Sequence, residues 1–107
     1  MPNAIHLPDI HQALLEGKTF WKKHALERMV ERDISRDAVK QAILCGHIIE
    51  RYPTDHPVPS VLIAVLEPEP LHVVLAWDEK RRECHIITVY RPDIQYFELD
   101  FITRKNQ

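Results

Sequence analysis

Residues 23–52, KHALERMVERDISRDAVKQAILCGHIIERY, decide how the rest of the chain is read. At 100° per residue, His24, Arg28 and Arg32 fall within about a quarter turn of one another on a helix, with Leu26, Met29 and Val30 opposite. The spacing predicts one helix with an apolar back and a cationic front. Ile34 closes that apolar face. Ser35 is placed to cap a second helix, and Asp37 sits in its first turn, where a negative charge favours the helix dipole. Ala38, Val39, Ala42 and Ile43 give the second helix its core side, and Gly46 stops it. A helical hairpin needs only the apolar residues, so the His/Arg/Arg ridge is the first place to look for function.

Working outward, residues 1–7 carry no strong pattern and read as a loosely held arm. DIHQALLEGK has Ile10, Ala13 and Leu14 at helical spacing, with Pro8 or Asp9 to start it and Gly17 to end it. Thr19, Phe20 and Trp21 are strand formers and predict a brief strand or extended connector. Beyond Gly46, residues 47–52 read as a strand, and the loop PTDHPVP, with its three prolines, keeps the chain extended. The apolar run beginning at Ser60 suits a central strand over 60–67. Residues 71–77 and 84–90, joined by DEKRRE, read as an antiparallel hairpin. In the terminal IQYFELDFITRK, Ile94, Phe97 and Phe101 fall on one side of a short C-terminal helix. The expected fold class is α+β: an antiparallel sheet of three to four strands with the N-terminal helices packed on one face. Leu26, Met29, Val39, Ile43, Ile63, Val73 and Ile86 are its expected core.

A chain of 107 residues supports one domain, taken as 1–107, with a real core. There is no N-terminal signal pattern and no apolar run long enough to cross a bilayer, so a cytoplasmic protein with no membrane partner is expected. Cys45 and Cys84 have no close metal spacing and read as reduced core thiols. A formal charge of −2 argues against a protein that coats nucleic acid indiscriminately, although local basic patches can still bind phosphate.

Four stretches in order, HALERMVERDIS, GHIIERYPTDHPVPS, PLHVVLAWD and ITVYRPD, resemble a bacterial family known as domain of unknown function number 4258. The resemblance covers about residues 20–93. It implies a compact α/β domain related to small RelE-like toxins of toxin–antitoxin systems, encoded beside zinc-finger antitoxin-like proteins and having ribonuclease activity.

Metal-free RNA cleavage needs one group to take the ribose 2′-hydroxyl proton, one to protonate the leaving oxygen, and positive charge on the phosphate. Histidine serves either proton-transfer role near neutral pH, and arginine presents a planar fork to phosphate. His24, His72 and Tyr90 are therefore the candidates for proton transfer, and Arg28, Arg32 and Arg91 for phosphate or RNA binding. Each has a plainer alternative. His24 can be a surface or capping residue, and Arg28 and Arg32 can belong to a salt-bridged face with Glu27 and Glu31. His72 can be a hydrogen-bonded core histidine, and Tyr90 can simply pack. Cys45 with His47, and His56 and His85 elsewhere, lack the paired spacing of a zinc site, so no metal or other cofactor is expected. Two glycines in the whole chain exclude a phosphate-binding glycine loop.

The leading expectation is a toxin-like RNA-binding protein acting as a metal-independent endoribonuclease, with RNA and an antitoxin-like protein as partners. The alternative is a non-catalytic module that pairs with an antitoxin-like partner or self-associates as a homo-oligomer. An enzyme needs its histidine and arginines free of intramolecular carboxylates, whereas a scaffold can leave them paired.

Overall fold

The computed structural model describes residues 4–93, 95 and 97–105. Its elements run α1 (Leu7–Leu15), β1 (Thr19–Trp21), α2 (Lys23–Glu31), α3 (Arg36–Cys45), β2 (His47–Tyr52), β3 (Ser60–Val65), β4 (Leu71–Asp78) and β5 (Glu83–Tyr90). A proline in the first turn starts α1, and Gly17, at φ 77°, turns the chain out of it. Ser35 caps α3 by accepting from the Ala38 amide at 3.0 Å. The α2–α3 turn is closed by Asp33 in the left-handed region at φ 55° and by the Ile34 amide donating to the Met29 carbonyl at 2.8 Å.

Gly46 is required for space rather than for φ. A Cβ there would lie 2.5 Å from the backbone oxygens of both Ala42 and Ala64, so only glycine lets α3 hand the chain to β2 so close to β3.

The strands form one sheet in the order β1-β5-β4-β3-β2. β2–β3, β3–β4 and β4–β5 are antiparallel, whereas β1 lies parallel to β5, with Phe20 opposite His85 and Trp21 opposite Ile86. The four expected strand segments are present, but the architecture is a five-stranded mixed sheet with three helices. It is not a RelE-like antiparallel sheet of three to four strands with N-terminal helices packed on one face and a short helix after it. The correction arises at TFW, which docks on β5 through the Cys84 amide to the Lys18 carbonyl and the Lys22 amide to the Ile86 carbonyl.

The expected C-terminal helix is also overturned. Side chains of Asp93 and Asp100 accept from backbone amides two and three residues on, replacing helical bonds with turns, and Phe97 bridges to Arg104. Ile94, assigned to that helix, lies outside the described residues.

Met29, Val39, Ile43, Ile63, Val73 and Ile86 are buried as expected, and Leu26 is partly buried. Val30 is 82% exposed, because the inward stripe of α2 is Ala25 and Met29. Cys84 is buried, but Cys45 is exposed, so only the first is a core thiol.

The helical core takes Val61 and Ile63 from β3, Leu71, Val73, Leu75 and Trp77 from β4, and Cys84, Ile86 and Val89 from β5. Strand side chains alternate, so the residues between these point to the second side of the sheet. That side carries Ser60, Leu62 and Ala64, then His72, Val74, Ala76 and Asp78, and beside them His85, Thr88 and Tyr90.

Candidate functional site

On this second side the sheet forms a groove of about 440 Å³ whose lining includes Lys22, Asp55, His56, Ala76, Asp78, Arg81, Glu83, His85 and Ile87. Its chemical centre is His85. The β1–β5 register sets Phe20 beside it, ring centroids 5.3 Å apart and planes at 23°, so the two rings stack. His85 Nε2 lies 3.3 Å from Glu83 Oε1, which sits two residues earlier on the same strand and therefore on the same side. Glu83 thereby sets a negative charge beside the imidazole.

Asp78 closes the β4–β5 turn by accepting from the Arg81 amide at 3.1 Å and from its guanidinium at 3.2 Å. The Arg81 backbone bond, more than the side-chain one, holds the Asp78 carboxyl below the usual carboxylate range. Lys22 has no carboxylate partner among the described residues. Phe20, stacked on His85, is 46% exposed, which leaves aromatic surface beside the groove for a planar ligand.

Farther along the same side lies a second polar cluster. His72 is fully buried. Its Nε2 donates to the Phe101 carbonyl at 2.7 Å, so Nδ1 is the acceptor facing the Tyr90 hydroxyl at 3.3 Å. Burial pushes His72 below the ordinary histidine range and pushes the Tyr90 phenol up. On β2, Glu50 accepts a hydrogen bond from Tyr52 and a two-pronged one from Arg104, at 2.6 and 3.0 Å. Burial works to raise the Glu50 carboxyl, but these hydrogen bonds outweigh it and leave the group below its usual range. Burial and the bond to Glu50 push the Tyr52 phenol up to about 12.

The six residues singled out from sequence do not converge. His72 and Tyr90 meet, their rings 5.3 Å apart. His24 projects from α2 with its side chain 86% exposed and Nδ1 3.9 Å from Glu27. Arg28 is paired to Glu31 at 3.0 Å. Met29 of the same helix packs in the core with Val73 and Val89, so α2 and the His72–Tyr90 pair lie across the sheet from each other.

Arg32 and Arg91 come together as a structural clasp. The Arg32 guanidinium donates to the Val89 carbonyl at 2.7 Å, while that of Arg91 donates to the Arg32 carbonyl at 2.6 Å and the Asp33 carbonyl at 3.3 Å. Arg91 also pairs with Glu69 at 3.3 Å. Its positive charge at the end of α2 complements the helix dipole.

Sequence reasoning passed over Phe20, Lys22, Arg81 and Glu83, and weighed His85 only as a metal ligand. Strand alternation could have put Glu83 and His85 on one side. Nothing in the sequence announces that a residue 65 positions earlier stacks on His85. Among the described residues, no group of three or more His, Cys, Asp or Glu is arranged to hold a metal ion.

A family model with the description Domain of unknown function (DUF4258) matches residues 21–91, which include β2–β5 and most of the groove. No curated protein and no solved structure matches the chain.

Proposed function

The chain belongs to the Domain of unknown function (DUF4258) family, and from that premise we propose that it is a toxin-like RNA-binding protein that cleaves RNA without a metal, working from the groove around His85. The observation that carries the reading is His85, stacked on Phe20 and lying 3.3 Å from Glu83, in a groove also lined by Lys22, Arg81 and His56. Phe20 offers a face on which an unpaired base can stack, a contact indifferent to base identity. Lys22, without a carboxylate partner among the described residues, supplies positive charge for the adjoining phosphate.

In the proposed reaction, His85 takes the proton of the ribose 2′-hydroxyl on an unprotonated ring nitrogen as the 2′-oxygen bonds to phosphorus. The bond from phosphorus to the 5′-oxygen breaks, and that oxygen receives a proton from His56 or water. The products are a 2′,3′-cyclic phosphate and a 5′-hydroxyl. The proton-transfer role is thereby moved from His24, His72 and Tyr90 to His85 and His56, and the phosphate-binding role from Arg28, Arg32 and Arg91 to Lys22. Relation to RelE-like toxins, bacterial origin, action in the cytoplasm and control by an antitoxin-like partner belong to this same proposal.

Binding is tested with a fluorescent single-stranded RNA. Phe20→Ala should weaken it by about 1–3 kcal/mol, the worth of one stacked base, and Lys22→Ala should make it less sensitive to salt. Equal affinity of both variants and the wild type would remove the groove from consideration.

One observation favours the second reading, a non-catalytic module that binds an antitoxin-like protein or another copy of itself. Arg28, Arg81, Arg91 and Arg104 are all paired to carboxylates, and His85 lies beside Glu83, as a scaffold permits. Under that reading RNA is neither bound nor cut.

A further inference from the structure

Residues 97–104 form a compact loop lying over the His72 cluster. The loop is closed on itself by the Phe97–Arg104 bridge, by the Glu98 amide to the Thr103 carbonyl at 2.8 Å, and by the Asp100 side chain, which accepts from the amides of Ile102 and Thr103. Its hydrogen bonds and ring contacts to the sheet come from three of its residues. Arg104 grips Glu50, the Phe101 carbonyl accepts from His72, and the buried Phe97 ring meets the His72 ring edge-on, centroids 4.7 Å apart. Arg104 also lies over the Phe97 ring, 4.9 Å from its centroid, so the ion pair and the aromatic cover are mechanically linked.

We propose that this loop is a strap that closes a second site on the sheet, built from Glu50, Tyr52, His72 and Tyr90, and that parting Arg104 from Glu50 opens it. Three features support this. The strap rests on side-chain contacts rather than on strand pairing with β2–β5, so it can lift while the ladders of the sheet stay intact. What it covers is an imidazole, two phenols and a carboxylate drawn from three strands, a set able to move protons that ordinary core packing does not need. The Arg104–Glu50 pair is partly open to solvent, so charges brought by a ligand or partner can compete for either member.

With the strap down, His72 is sealed. With it lifted, the second site joins the groove around His85 on one continuous side of the sheet. This goes beyond the functional proposal and rests on it only in taking that side as the working surface.

The test is modification of histidines by diethyl pyrocarbonate, mapped residue by residue by mass spectrometry on the full chain. In the wild type, His72 should react far more slowly than the exposed His24. Arg104→Ala and Phe97→Ala should each raise the His72 rate by about tenfold or more, the effect of losing a charge-assisted or aromatic anchor on a local opening. His11, half-buried on α1 with its ring nitrogen 2.7 Å from the Ile43 carbonyl of α3, should keep its wild-type rate in both variants. A His72 rate unchanged in both variants, or one that rises only together with that of His11, overturns the strap. The readout needs no RNA, so it stands apart from the ribonuclease assignment.

Discussion

Arg32 and Arg91 hold each other's chain segments. The Arg91 guanidinium binds the Arg32 carbonyl at 2.6 Å, and the Arg32 guanidinium reaches past it to the Val89 carbonyl at 2.7 Å. Two arginines that sequence alone offers as phosphate ligands thereby fasten the end of α2 to the end of β5. Arg91→Ala and Arg32→Ala should each cost about 1 kcal/mol, the net worth of a partly exposed hydrogen-bonded arginine. The double variant should cost less than the sum, because the two bonds support one junction. Urea denaturation of the three variants measures this, and strict additivity would show that the clasp is not a unit.

Ile43 and Ile86 are fully buried on facing layers of the core. Alanine at either position should cost about 2–5 kcal/mol. Val30→Ala, on the solvent side of α2, should change stability by less than about 0.5 kcal/mol. Denaturation midpoints that rank these three otherwise would contradict the orientation of α2.

His72 gives stability a dependence on pH. Its folded-state pKa is lowered from the ordinary 6.5 by burial, so below that value the unfolded chain takes up a proton that the folded chain resists. Folding stability should therefore be highest above pH 6.5 and fall as the pH drops through the interval between 6.5 and the lowered folded value. Glu50, also lowered from its ordinary 4.5, adds stability above that value that is lost on further acidification. His72→Gln should flatten the first part of this decline in thermal melts taken across the acid range. A wild-type melting temperature independent of pH from 7 to 5 would contradict the burial of a neutral imidazole.

Much of the fold was legible because the signals were local. Pro8, Gly17, Ser35 and Gly46 each mark a helix boundary through their own backbone or capping chemistry, and alternation in LHVVLAWD shows which residues of β4 face the core. Two features were not local. A three-residue strand carries no record of its partner, so the parallel docking of TFW on β5 was hidden, and with it the stacking of Phe20 on His85. In the tail, the spacing of Phe97 and Phe101 mimics a helix, while Asp93 and Asp100 divert the backbone into turns and Phe101 adopts φ 57°. Along α2, pairing with Glu27 and Glu31 was legible as an alternative, but periodicity does not show that Val30 faces solvent or that Arg32, just past the helix, reaches the Val89 carbonyl.

The most direct measurement is cleavage of a single-stranded RNA in the presence of chelator, comparing the wild type with His85→Gln and His24→Gln. The account predicts that the wild type leaves a 2′,3′-cyclic phosphate, that His85→Gln is slower by about 10²-fold or more through loss of the proton-transfer group, and that His24→Gln cuts at the wild-type rate. RNA left intact by the wild type, or cut equally fast by His85→Gln, would contradict it.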